Sequence, residues 1–170
     1  MSGKLLLLIV PLFVLAQYCS ACSIEDIRSR FAKAAEDEKT AAGLLETLKN
    51  CPQKSALITG YIGATEALMG KHAFMPTSKY SWCKKSETDF NSAVIKDSEN
   101  LEIRYLRFAV ESNLPSFLNM SKHVDEDKSK MIQLINSSND KTINRKVARL
   151  LLDSKMCTKP EEAQLKRHLD

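Results

Sequence analysis

Residues 55–73 read SALITGYIGATEALMGKHA, and this stretch decides the fold. Ala56, Leu57, Ile58, Tyr61, Ile62, Ala64, Ala67, Leu68 and Met69 cover most of the surface of a helix drawn through it. A helix that is apolar nearly all round is stable only with other elements packed on several sides. Gly60 and Gly63, with Ala64 and Ala67, make a low ridge that lets a neighbouring helix approach closely. A membrane-type glycine face is the alternative, but Thr59, Thr65 and Glu66 favour burial in a soluble domain. The stretch therefore predicts the central helix of a helical protein.

Prolines mark the boundaries outward from it. Pro52, Pro76, Pro115 and Pro160 each fit a first turn or a connection, because proline inside a helix removes a hydrogen bond and clashes with the preceding turn. On the N-terminal side, Ser23 can cap a helix whose Ile24, Ile27, Phe31, Ala34 and Ala35 share one face. After a break near residue 37, Ala41, Ala42, Leu44, Leu45 and Leu48 form a second apolar set. On the C-terminal side, helices are expected over 78–96 and 101–112, with Ile103, Leu106, Val110 and Leu114 on the packed face of the latter. The charged run Lys122–Lys130 starts a solvated helix containing Met131, Leu134 and Ile135. Asn136–Asp140 is a loop, and two short helices follow near 142–152 and 160–168. The expected fold is all-α, a compact stack or bundle of about six to eight helices.

Composition agrees. The chain has 170 residues, 44% hydrophobic and 27% charged, with five Gly, five Pro and 6% aromatics. This excludes low-complexity and collagen-like classes and is poor material for a sheet sandwich. A net charge of +4 without a basic cluster gives no nucleic-acid signature.

Lys4 followed by the uncharged run Leu5–Ala16 has the form of a signal peptide and is too short for a span of roughly 20 apolar residues. The expected organisation is a signal peptide over 1–21 and one helical domain over 22–170. The exported location is the periplasm or outer membrane, or otherwise the medium. Cys19-Ser-Ala-Cys22 suits ordinary signal peptidase, and Ser20, Ala21 and Cys22 also resemble a bacterial lipobox. That resemblance makes Cys22 a lipidation candidate and implies membrane attachment, although Cys19 stands where the pattern prefers an aliphatic residue. Cys22, Cys51, Cys83 and Cys157 remain in the mature chain, and four cysteines allow three disulfide connectivities.

Ser86-x3-Phe90-x2-Ala93-x3-Asp97-Ser-Glu-Asn100-x-Glu102 resembles the second helix and linker of a tetratricopeptide repeat. The likeness implies partly tetratricopeptide-like hairpins. Arg104 and Arg107 stand where that family is apolar, Phe108 where it is small and Ser98 where it has Pro, so the unit is degenerate. A second resemblance rests on His72-Ala-Phe74-x-Pro76-x-Ser78-Lys79, Leu101-Glu-Ile-Arg104-Tyr-Leu-Arg107, Asn113-x-Pro115-x-Phe117-Leu118 and Asp127-Lys128. These strings resemble an uncharacterised family of small secreted helical proteins of Gram-negative bacteria. The resemblance implies an envelope location and a helical fold, and brings no reaction.

His72, Phe74, Lys79, Arg104 and Arg107 are the candidate ligand- or partner-binding residues. Together they could form a pocket for a carboxylate or phosphate. In the blander reading His72 caps a helix end and Glu102 and Glu111 pair with the arginines. Cys83 and His72 are the nearest thiol–imidazole pair in sequence, but they lie in no nucleophile motif. No catalytic residue, cofactor or metal site is nominated. The expected role is a helical protein-interaction module of the cell envelope with a protein partner. Its rivals are a secreted helical bundle of cytokine type, for which Asn119-Met-Ser121 and Asn136-Ser-Ser138 would be glycosylation acceptors, and a small envelope hydrolase.

Overall fold

A computed structural model describes residues 22–169. The expected signal peptide and its cleavage motif over 1–21 lie outside the described residues. Eight α-helices pack together: α1 (Ile24–Ala34), α2 (Glu38–Lys49), α3 (Ala56–His72), α4 (Pro76–Lys96), α5 (Leu101–Glu111), α6 (Val124–Leu134), α7 (Lys141–Asp153) and α8 (Lys159–Lys166). A 3₁₀ turn, Ser116–Leu118, stands between α5 and α6, and the described residues contain no strand.

Local chemistry sets the helix starts. The side chains of Ser23, Asp37, Ser55, Asn100 and Asp140 each accept a backbone N–H from the first turn that follows, satisfying donors a helix leaves unpaired. Thr158 and Glu161 form a reciprocal capping box on α8. α4 begins at Pro76, two residues before the expected start at Ser78, because proline is tolerated at the first helical position.

Helix α3 is the centre of one core. Every residue from Ile58 to Glu66 is buried, and α3 packs on α1, α2, α4 and α5. Ile27, Leu44, Leu48, Tyr61, Phe90 and Leu106 lie in this core, where Phe31 meets the Tyr61 ring edge-on with centroids 5.5 Å apart. Phe108, Met131, Ile135, Val147, Leu151 and Leu165 form a second core beneath α6, α7 and α8. Helix α5 joins the two, contributing Leu106 to the first and Leu101 and Phe108 to the second.

The glycine ridge brings α4 against α3. A methyl group at Gly63 would sit 3.2 Å from the Ser86 carbonyl oxygen and 3.3 Å from the Phe90 backbone nitrogen, and neither can turn aside. At Gly43 on α2 a methyl group would meet nothing within 4 Å. Gly43→Ala is therefore expected to stabilise the protein by about 0.5–1 kcal/mol through helix propensity alone. Gly63→Ala should destabilise it by about 1–3 kcal/mol as the helices are forced apart. Urea melts of the two variants would check this, and equal responses would show that the ridge does not set the packing.

Burial of Glu66 is incomplete in its compensation. Lys49 Nζ donates to its Oε1 at 3.0 Å, while Oε2 has no hydrogen-bond partner among the described residues. Burial, with the nearby Asp89 charge, raises its pKa above the ordinary 4.5. A carboxyl with a raised folded-state pKa holds its proton more firmly folded than unfolded. It therefore opposes folding progressively as pH rises from 4.5 through the raised value. Wild type should lose stability relative to Glu66→Gln over that rise, as read from paired urea melts at several pH values, and parallel profiles would refute it.

Candidate functional site

The ends of α3, α4 and α5 and the segment after α5 enclose an apolar cleft of about 700 Å³. Pro76, Lys79, Tyr80 and Cys83 recur at three- and four-residue spacing, which places them on one face of α4 as a wall. Leu68 and Lys71 of α3 form the second wall. Val110 of α5, with Leu114, Phe117 and Leu118, forms the third. Gly70 allows the first two to meet: a methyl group there would lie 3.3 Å from Trp82 Cβ.

The third wall is held by polar bonds behind it. The Glu111 carboxylate accepts the His123 backbone N–H at 2.8 Å and lies 2.8 Å from His123 Nδ1, while Ser121 Oγ donates to the Glu111 carbonyl at 2.6 Å. Asn119 turns the chain through the left-handed region at φ 51°, a conformation asparagine tolerates, and Met120 beside it is buried. Phe117, in the middle of the Ser116–Leu118 3₁₀ turn, is 83% exposed.

The structure divides the five sequence candidates. Lys79 lines the cleft and donates to the Lys71 carbonyl at 3.3 Å. Phe74, in the turn just before Pro76, is 93% exposed. His72 is at the end of α3, with Nε2 3.0 Å from the Ala34 carbonyl oxygen, which ties the α1 and α3 ends together. Arg104 and Arg107 are not in a pocket with these three. Both are buried against α6, where Arg107 donates through Nε and Nη2 to the two Asp127 oxygens at 2.7 Å each. Arg104 Nη1 donates to Asp127 Oδ1 at 2.8 Å and also to Glu126. Burial works against the Arg104 charge, but its hydrogen bonds to Asp127 and Glu126 outweigh it and raise its pKa. Arg107 reaches toward Asn91 of α4, twelve residues or about 18 Å along that helix from Lys79.

The acidic residues expected beside these arginines serve elsewhere. Glu102 accepts both Arg28 Nε at 2.8 Å and Arg28 Nη2 at 2.6 Å, and also the Tyr61 hydroxyl at 2.6 Å. Arg28 Nη2 continues to Asp140 at 2.7 Å, so one bidentate ion network joins α1, α3, α5 and the start of α7. The Glu102 hydrogen bond raises the Arg28 pKa against burial, and burial then Glu102 raise that of Tyr61, so each keeps its proton. A smaller, more polar cleft of about 330 Å³ adjoins this network. The charged run beginning at Lys122 is also corrected: Asp127, expected on a solvated face, is 0% exposed.

Cys22 forms a disulfide with Cys51, which selects the pairing, and Cys83 and Cys157 are free thiols. A sulfur bonded to Cys51 cannot also carry a thioether-linked lipid, so the disulfide and the lipidation expected at Cys22 exclude each other. Burial pushes the Cys83 thiol pKa up, with the Lys79 charge offsetting part of the effect, so this thiol is not activated as a nucleophile. Among the described residues no three His, Cys, Asp or Glu side chains converge on a possible metal position, and no helix is long and apolar enough to cross a membrane.

Sequence reasoning does not place Tyr80, Phe117 or Leu118 in a site, and it weighs Cys83 only as a thiol beside His72. The signal for them was indirect, an aromatic after Pro115 and an apolar Phe74-Met75 pair before Pro76. No protein-family model, curated protein or solved structure matches this chain.

Proposed function

We propose that this chain is an exported cell-envelope protein that works by binding, a helical interaction module whose working surface is the cleft between α3, α4 and α5. The observation that carries this reading is the position of its exposed apolar side chains. Of the six large ones among the described residues, Tyr80 and Phe117 line the cleft, and Phe74 and Met75 immediately precede its Pro76. Concentration of such residues at one concave feature marks an interaction site, whereas scattered ones need no explanation. Export is supported by the Leu5–Ala16 run and by the Cys22–Cys51 pair, since disulfides persist in oxidising compartments.

A photo-crosslinking phenylalanine analogue placed at Phe117 and, separately, at Ile95 tests it in envelope preparations. Ile95 is also exposed but lies in the last turn of α4, away from the cleft. Adducts are expected from position 117 and not from 95, and Ala109→Trp, which fills the cleft from α5, should suppress them. Equal labelling from both positions, or none, would remove the cleft as the working surface.

A further inference from the structure

We infer that the occupant of this cleft is a single-chain anionic amphiphile, its alkyl tail among Leu68, Val110, Leu114 and Leu118 and its carboxylate or phosphate-type head at Lys79. This rests on the cleft being the working surface and names what fills it.

Volume and chemistry both point this way. About 700 Å³ is within the range that holds small ligands, and the walls are mainly aliphatic. The lining contains two lysines and no Asp or Glu. Lys79 Nζ is met by a backbone carbonyl, and Lys71 Nζ by the Ala35 carbonyl at 2.6 Å and the highly exposed Glu36 at 3.7 Å. Lys71 thus turns its ammonium toward the end of α1, whereas Lys79 meets no carboxylate among the described residues and keeps the mouth positive. Helix α4 adds to it. Met75 gives that helix no side-chain cap, and Pro76 at its start lines the cleft, so the positive end of the helix faces the same region.

A peptide is the less suitable occupant. An extended or helical segment brings backbone N–H and C=O groups or a wide cylinder, and the lining offers few polar side chains, chiefly Asn113 and Tyr80, to satisfy them. An alkyl chain has no such groups to satisfy. Each methylene buried should raise affinity about fourfold until the tail fills the space.

The test uses the purified, oxidised protein with 11-(dansylamino)undecanoate as probe. Fluorescence enhancement is expected, with displacement by octanoate, decanoate and dodecanoate in rising order of affinity. Dodecanol and dodecyltrimethylammonium should displace about fivefold less well, the worth of one solvent-accessible charge contact. Lys79→Gln should weaken dodecanoate about fivefold and leave dodecanol unchanged. Ala109→Trp should abolish probe binding while keeping the helical circular dichroism signal. If that variant unfolds, Leu118→Trp blocks the same space from the loop without entering a helix. Equal binding of dodecanol and dodecanoate, or indifference to Lys79→Gln, overturns the anionic head. No probe binding, together with a protein adduct from position 117, overturns the amphiphile and leaves the binding surface standing. No probe binding and no adduct overturns both.

Discussion

Replacing Asp127 by alanine is expected to cost about 3–5 kcal/mol of unfolding free energy, the range for breaking a buried ion cluster by removing one partner. Asp127 is 0% exposed and takes hydrogen bonds from Arg104 and Arg107, which are 4% and 2% exposed. Without it two guanidinium groups remain in a low-dielectric interface with the largely exposed Glu126 as their remaining charge partner and the neutral oxygens of Ser98 and Asn91 beside them. Desolvation is then uncompensated, and the α5–α6 contact that leads into the second core weakens. Asp127→Asn should lose nearly as much, because the amide keeps the shape and removes the charge. Replacing all three together, Arg104→Met, Arg107→Met and Asp127→Leu, should recover most of the loss, because an apolar set of similar volume carries no desolvation cost. Urea denaturation of the three variants reads this directly. A loss under about 1 kcal/mol for Asp127→Ala would show that the cluster is solvated in solution.

Cys51→Ala is expected to lower stability by about 3–4 kcal/mol through loss of the Cys22–Cys51 bond, which spans 29 residues and ties the start of α1 to the end of α2. Most of that effect acts on the unfolded chain, which regains the freedom of an open loop. Both cysteines also pack on the first core, so reduction without substitution should cost less than Cys51→Ala. Thermal melts with and without reductant would check the order. Peptide mapping of protein from its native compartment addresses the competing chemistry at the same atom. A Cys22–Cys51 linked peptide, two hydrogens lighter than its reduced form, is expected. A diacylglycerol-bearing Cys22 with Cys51 as a free thiol would instead establish the lipid anchor and remove the disulfide.

The candidate site was only partly legible before the fold was known. Lys79 lines the cleft and Phe74 lies just before it because they flank Pro76, and a proline between two apolar segments identifies a helix junction from sequence alone. Sequence reasoning groups Arg104 and Arg107 with them because the two share a helix face and neighbour one another at three-residue spacing. That spacing says the two arginines act together, which they do, on the neighbouring carboxylates of Asp127 and Glu126. It does not say which carboxylate. Glu102 and Glu111 were nearer in sequence, and they pair instead with Arg28 and His123.

The sequence by itself determined the helical class, the central position of residues 55–73, a break near residue 37 and most of the helix starts. Each of these is written in interactions that reach no more than about four residues: a cap to its first turn, a proline to the preceding turn, an apolar side chain to its neighbour on the same face. Only the tertiary structure decided the charge partners and the cleft. Arg28 meets Glu102 and Asp140 across 74 and 112 residues, and Arg104 meets Asp127 across 23. The cleft walls come from three helices and a loop. Helix packing chooses these neighbours, because any exposed carboxylate suits any arginine until burial removes water as the competitor.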